Sequence, residues 1–193
     1  MMEPLERLSV LRAAALEGRD PTCADETLQY LLETAERIRP KNILEIGAGE
    51  VLTSIALFLH TGANITAIEL DASRAAKARE NFALFGVNAQ LFEGDAGEIL
   101  PMLAGEFDMI FLDGPKVQYR RYLSDCKRLL RHGGVLLSDD VLLYGWVRGE
   151  PPKRRRMLVE HLREYLQMLQ DDSELDTQIL ELGEGLAVSE KRS

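Results

Sequence analysis

Apolar residues recur every three or four positions along about the first forty residues of the chain, which is the spacing of amphipathic helices. These apolar residues form two groups, one with Leu5, Leu8, Leu11 and Ala15 and the other with Leu28, Leu31, Leu32 and Ala35. They predict one helix over residues 4–16 and a second over residues 24–38.

After Pro40 the pattern changes to short apolar runs that alternate with helical segments. The predicted strands cover residues 42–46, 65–69, 90–93, 107–112 and 134–138, and the predicted helices cover residues 51–59, 73–85, 97–103, 119–130 and 155–169. Strands and helices that alternate in this way form a parallel sheet with helices on both faces. Two last strands, 176–182 and 185–188, are joined by a Gly-Glu-Gly turn and predict an antiparallel hairpin at the sheet edge.

Length and composition indicate one folded domain, because 193 residues with 46% hydrophobic and 28% charged residues are typical of a single globular unit. Charged residues lie near the start and no apolar run approaches a membrane span, so we expect neither a secretory signal nor a transmembrane helix. Cys23 and Cys126 match no metal or disulfide spacing, so we expect free thiols in a reducing cytoplasm.

The net charge of −9 argues against a protein that coats nucleic acid, because such binding needs a broad basic face. A local exception lies at residues 148–156, where five basic residues accompany one acidic residue, Glu150. This basic run favours contact with phosphates, although a solvated helix start explains it equally well.

A glycine-containing motif, Glu45-Ile46-Gly47-Ala48-Gly49, ends the first core strand, and Glu69 closes the second. Glycines let the backbone approach a ligand, and a carboxylate at the second strand tip can bind both ribose hydroxyls. The pattern serves nicotinamide cofactors as well as S-adenosylmethionine, and glycine after a strand is often only a turn. A dinucleotide fingerprint requires glycine at position 52, where this chain has Leu52, so the pyrophosphate interpretation is disfavoured.

Asp95 follows the third strand in the sequence Glu93-Gly94-Asp95-Ala96. Ligands of open parallel sheets bind at the carboxyl ends of the strands, so Asp95 can reach the amine of an adenine. An aspartate here is also typical of a helix N-cap, and the two roles are compatible.

Three aspartates follow the fourth and fifth strands: Asp113, Asp139 and Asp140. If these strands are neighbours, the carboxylates meet, and two unit charges about 4 Å apart repel by about 4 kcal/mol at an effective dielectric constant near 20. A cation or a proton is then required, and oxygen ligands favour Mg²⁺. The alternative is that all three are turn and capping residues.

The chain resembles the cation-dependent O-methyltransferase family that includes catechol and caffeoyl-CoA O-methyltransferases. The resemblance extends from about residue 21 to the C-terminus, and bacterial members that methylate 5-hydroxyuridine in tRNA look most similar. Three motifs carry it: Glu45-Ile46-Gly47-Ala48-Gly49, Asp113-Gly114-Pro115-Lys116 followed by Tyr119, and Ser138-Asp139-Asp140-Val141-Leu142.

The resemblance implies a Rossmann-like class I methyltransferase fold and S-adenosylmethionine as cofactor. By similarity, Asp113, Asp139 and Asp140 are metal ligands and Lys116 lies beside the substrate hydroxyl as the catalytic residue. The residues implied in cofactor binding are Cys23, Glu45, Gly47, Gly49, Thr53, Glu69, Asp95, Ala96 and Asp113. Within the single domain, residues 1–40 form N-terminal helices, 41–140 the cofactor- and metal-binding core, and 141–193 a substrate-side loop, helix and hairpin.

Two residues depart from the family pattern: Val51 replaces a usual glycine and Asp140 a usual asparagine. We therefore expect a metal-dependent O-methyltransferase whose substrate is a hydroxylated tRNA uridine or a catechol-like diol. An inactive module that binds S-adenosylmethionine remains an alternative, and an NAD-dependent oxidoreductase is a weaker one. The apolar N-terminal helices are candidates for a homodimer surface.

Overall fold

The computed structural model describes residues 3–18 and 22–192, and contains seven α-helices and seven strands within those ranges. The helices are α1 (Pro4–Gly18), α2 (Asp25–Ile38), α3 (Leu52–Thr61), α4 (Ala72–Leu84), α5 (Ala96–Ile99), α6 (Tyr119–Leu129) and α7 (Arg156–Asp171). The strands are β1 (Asn42–Ile46), β2 (Asn64–Glu69), β3 (Gln90–Glu93), β4 (Phe107–Leu112), β5 (Leu130–Ser138), β6 (Leu175–Leu180) and β7 (Leu186–Lys191).

All seven strands join one sheet in the order β3-β2-β1-β4-β5-β7-β6. The first five strands are parallel, β7 runs antiparallel to β5, and β6 pairs antiparallel with β7. The predicted fold class, a mostly parallel seven-stranded sheet with a C-terminal antiparallel hairpin, is confirmed. Strand order reverses between β1 and β4, so the carboxyl ends of these strands form the crevice in which open sheets bind ligands.

The predicted start of β5 is wrong by four residues. The strand begins at Leu130, which is buried and pairs with Phe107 across a register shift in the β4–β5 ladder. Gly133, with φ of 71°, follows within this irregular part. The sequence pattern predicts a start after Gly133 because the irregularity interrupts the apolar run.

The core has two apolar layers, one on each face of the sheet, because successive strand residues point to opposite faces. In β1, Leu44 and Ile46 pack towards α6 and α7, whereas Ile43 packs towards α2 and α3. Helices therefore cover both faces, as the alternation of strands and helices predicts.

Helix α1 is the least buried of the N-terminal elements. Leu8 and Ala15 are buried, but Leu5 is 66% exposed and Val10 and Leu16 are also exposed. The homodimer surface proposed for these helices stays a prediction. Among the described residues, no helix is long and apolar enough to traverse a bilayer.

Val51 precedes α3 in a left-handed conformation, with φ of 60° and ψ of 22°. A β-branched residue is disfavoured there, because its side chain crowds its own backbone. The side chain is nevertheless fully buried in the layer that contains α3. Apolar burial thus retains a valine in a backbone conformation that favours glycine.

We predict that Val51→Gly destabilises the protein much less than Val135→Gly, although both valines are fully buried. Glycine relieves backbone strain only at position 51, so the two losses in the free energy of unfolding should differ by about 1–3 kcal/mol. Chemical denaturation of both variants measures the difference. Equal losses would show that Val51 is not strained.

Candidate active site

A cavity of about 670 Å³ lies along the carboxyl ends of the five parallel strands. In sheet order, its lining includes Asp95 after β3, Glu69 at the end of β2, Gly47 after β1, Asp113 after β4 and Asp139 after β5. Neighbouring strands are about 4.8 Å apart, so five strand ends extend over about 19 Å. The shape suits an elongated ligand.

Gly47 brings the end of β1 directly against the end of β4. Its φ is 82°, and a Cβ there would lie 2.5 Å from the carbonyl oxygen of Asp113 and 2.5 Å from Cα of Gly114. No other residue fits without moving this backbone. The glycine therefore sets the position of Asp113 as well as the floor of the cavity.

Glu69 is buried and is held by two backbone groups. Its Oε2 accepts from the N–H of Gly49 at 2.7 Å, and its Oε1 accepts from the N–H of Asp71 at 2.7 Å. A carboxylate accepts about four hydrogen bonds, so both oxygens keep capacity for a ligand. This arrangement suits the two hydroxyls of a ribose.

Asp95 is the N-cap of α5, where its Oδ1 accepts from the N–H of Gly97 at 2.7 Å. The capping interpretation is thus confirmed. Asp95 and Ala96 also line the cavity, beside Tyr122. Burial and the nearby Asp95 raise the pKa of Tyr122 to about 12, so the phenol stays protonated.

The three aspartates at the other end line the same cavity, but a lysine lies between two of them. Lys116 Nζ is 2.8 Å from Oδ1 of Asp113 and 2.9 Å from Oδ2 of Asp140. Asp139 is only 2% exposed, and its Oδ1 accepts from the N–H of Asp140 at 2.9 Å. Within residues 3–18 and 22–192, no three acidic, histidine or cysteine side chains converge as a ready-made metal site.

Negative charge nevertheless exceeds positive charge at this acidic end, which we define as Asp113, Lys116, Asp139 and Asp140. Burial raises the pKa of Asp139 to about 8, and the charges of Asp113 and Asp140 act in the same direction. Burial also raises the pKa of Asp113, although Lys116 opposes this shift. Three hard oxygen donors with one ammonium among them fit a divalent cation in charge and chemistry.

Glu45 and Thr53 border a smaller cleft behind Gly47 rather than the main cavity. Glu45 is buried and accepts from the hydroxyl of Ser54, and its burial raises its pKa to about 8. Thr53 Oγ1 is 3.3 Å from Sγ of Cys23, which does line the main cavity. Contact between a ligand and Glu45 or Thr53 stays a prediction.

Two residues organise the site although the sequence pattern assigned them no role. The hydroxyl of the buried Tyr119 lies 3.0 Å from the carbonyl of Leu112 and 3.1 Å from that of Asp139, so it joins the ends of β4 and β5. Arg12 of α1 is buried and contacts residues that line the cavity. A charged residue on the apolar side of a helix was the available signal for Arg12.

Comparisons with known proteins agree with this geometry. A family model described as O-methyltransferase matches residues 9–192. A catechol O-methyltransferase of Niastella koreensis is 33% identical over 162 residues, which cover 80% of this chain and 72% of that protein.

Two solved structures share the fold. One, named as a candidate caffeoyl-CoA O-methyltransferase of Staphylococcus aureus, has a TM-score of 0.89 and 27% identity and covers 95% of this chain and 91% of its own. The other is the O-methyltransferase TomG of Streptomyces achromogenes in complex with S-adenosylmethionine. It has a TM-score of 0.85 and 25% identity and covers 100% of this chain and 91% of its own.

We predict that Glu45 makes stability depend on pH. Its pKa rises from 4.5 to about 8 on folding, so the folded state binds more protons than the unfolded state between these values. The free energy of unfolding should therefore fall as pH rises from about 5 to about 8. The Glu45→Gln variant lacks the contribution of Glu45, so its free energy of unfolding should fall less over the same range. Urea denaturation of both proteins across that range measures the difference, and parallel pH profiles would contradict the assignment.

Proposed function

The chain belongs to the O-methyltransferase family, and we propose that it transfers the methyl group of S-adenosylmethionine to a hydroxyl oxygen with the help of a divalent cation. The observation that carries the proposal is the single cavity that joins a ribose-type carboxylate, Glu69, to the acidic end. The cofactor and the acceptor oxygen can therefore meet in one space.

The cofactor is proposed to lie along the strand ends, with adenine at Asp95 and Ala96 and ribose at Glu69. Both carboxylates are already oriented by backbone N–H groups, so neither needs to reorganise when a ligand binds. The methionine part would then extend past Gly47 towards Asp113. The complex of TomG with S-adenosylmethionine supports this assignment through the shared fold.

A divalent cation would be held by Asp113, Asp139 and Asp140, and when bound it would lower the pKa of a chelated substrate hydroxyl. These three carboxylates line the end of the cavity that Lys116 also lines. Lys116 would share the oxygens of Asp113 and Asp140 with such a cation, since its ammonium contacts both.

Lys116 is proposed to act on the acceptor oxygen. Its Nζ donates to Asp113 and forms an ion pair with Asp140, so in this arrangement it is an ammonium that can stabilise and orient a developing oxyanion. It can receive the hydroxyl proton only after giving one up. The ring of Tyr119, whose centroid is 5.7 Å from Nζ, limits where the ammonium can move.

A catechol-like diol is the first candidate substrate, because chelation requires two adjacent oxygens and a 33% identical relative is named as a catechol O-methyltransferase. A hydroxylated tRNA uridine is the second. Lys153, Arg154 and Arg155 form an exposed 3₁₀ turn before α7. Tyr144, which is 66% exposed, lies with its ring centroid 5.0 Å from that of Trp146, and this pair can stack on a base.

We predict that Asp113→Ala lowers Mg²⁺-stimulated methyl transfer to a catechol by at least about 100-fold, since such a metal contributes several kcal/mol. The matched control is Asp176→Ala, which removes an exposed aspartate of β6. Isothermal calorimetry with S-adenosylmethionine, with and without Mg²⁺, identifies which ligand is lost. Unchanged turnover in Asp113→Ala would remove Asp113 from the mechanism, and cofactor binding without metal-dependent turnover in the wild type would favour an inactive module.

If RNA is the substrate, replacing Arg154, Arg155 and Arg156 together by alanine should weaken tRNA binding. The slope of its salt dependence should become less steep by about one unit for each phosphate that the variant no longer neutralises. A salt titration of tRNA binding by filter retention or fluorescence anisotropy measures both. Binding that is insensitive to salt, or unaffected by the triple substitution, would exclude this substrate and leave the diol.

A further inference from the structure

Arg12 is a buried cation in the middle of α1, with an exposed fraction of only 5%. Its Nη1 donates to Oγ1 of Thr22 at 3.0 Å, and its Nη2 donates to the carbonyl oxygen of Cys23 at 2.8 Å and to Oδ1 of Asp25 at 3.0 Å. A guanidinium is seldom buried unless such partners satisfy it. The segment 22–25 is therefore held to α1 by one side chain.

Residues 22–24 of this segment form a wall of the cavity. Thr22, Cys23 and Ala24 all line it, whereas Arg12 approaches them from behind. Cys23 Sγ also lies 3.3 Å from Oγ1 of Thr53, in the first turn of α3. The wall thus joins α1 to the helix that follows the glycine motif.

The segment and the first turn of α2, which follows it, contact the turn between β6 and β7. Oε1 of Glu26 accepts from the N–H of Gly183 at 2.6 Å, and a Cβ on Gly183 would lie 3.4 Å from Cβ of Ala24. Since β7 pairs with β5, this turn is on the β5 side of the sheet. The wall therefore lies at the acidic end and away from Asp95, which follows the opposite edge strand.

We infer that Arg12 is a positioning residue that holds the wall 22–24 in place for the amino-acid part of the cofactor and has no part in binding the nucleoside. The inference rests on the proposed function, which places the nucleoside at Glu69 and Asp95. Removing the guanidinium leaves the carbonyl of Cys23 and the hydroxyl of Thr22 without their donor. The wall then loses its attachment to α1, while the nucleoside end keeps its own hydrogen bonds.

The experiment is calorimetric titration with S-adenosylhomocysteine and with 5′-methylthioadenosine, which has the same nucleoside but no amino-acid part. Arg12→Ala should weaken the binding of S-adenosylhomocysteine by at least about tenfold and change the affinity for 5′-methylthioadenosine by less than about twofold. The reason is that charged hydrogen bonds are removed from the wall and not from the nucleoside end of the cavity. The matched control is Arg7→Ala on the same helix, since Arg7 forms no side-chain hydrogen bond or ion pair within the described part of the chain.

Equal weakening of both ligands in Arg12→Ala would indicate general destabilisation and overturn the inference, as would unchanged binding of S-adenosylhomocysteine. If Arg12→Ala does not fold, Arg12→Lys provides the same comparison, because lysine keeps the positive charge but lacks the planar guanidinium that donates to Thr22, Cys23 and Asp25 together. A selective loss of about two- to fivefold for S-adenosylhomocysteine is then expected, and no selectivity overturns the inference.

The two proposals fail in different ways. A wild-type protein that binds neither ligand contradicts the proposed function itself. A wild-type protein that binds both, together with an Arg12→Ala variant that also binds both normally, contradicts only the role of Arg12.

Discussion

The surplus of negative charge at the ends of β4 and β5 is the constraint on which the rest of the site depends. Strand pairing places Asp113 and Asp139 at neighbouring strand ends, and Lys116 is the cation placed directly between Asp113 and Asp140. Repulsion between such groups is several kcal/mol when they are shielded from water. Lys116 and the raised pKa of Asp139 offset part of this repulsion, and the proposed divalent cation would offset more of it.

The surrounding fold maintains this unfavourable arrangement. Gly47 allows β1 to pass against the backbone of Asp113, and the Tyr119 hydroxyl joins the ends of β4 and β5. The core layers on both sheet faces keep the strand ends in register. Stability supplied by these layers compensates for strain and charge at the site, which is the usual relation between a core and an active site.

Local patterns were sufficient to predict much of the fold. The bounds of β1, β3 and β4 agree with the sequence prediction because each is a short apolar run between turn residues. The start of β5 was not predictable, since it depends on a register shift against Phe107. In the site, the aspartates at the strand ends were predictable from the sequence because topology alone places them there. The hydrogen bonds of Arg12 and the position of Lys116 were not, because they depend on tertiary packing. Val51 is a departure from the family pattern that the sequence alone reveals, but its left-handed backbone depends on the fold.

The central claim is that the acidic end uses a divalent cation for methyl transfer. Its most direct test is the rate of methyl transfer from labelled S-adenosylmethionine to a catechol, measured while Mg²⁺ is titrated into protein first treated with EDTA. The account predicts negligible transfer in EDTA and a saturable rise as Mg²⁺ is restored. Transfer at full rate in EDTA would contradict it.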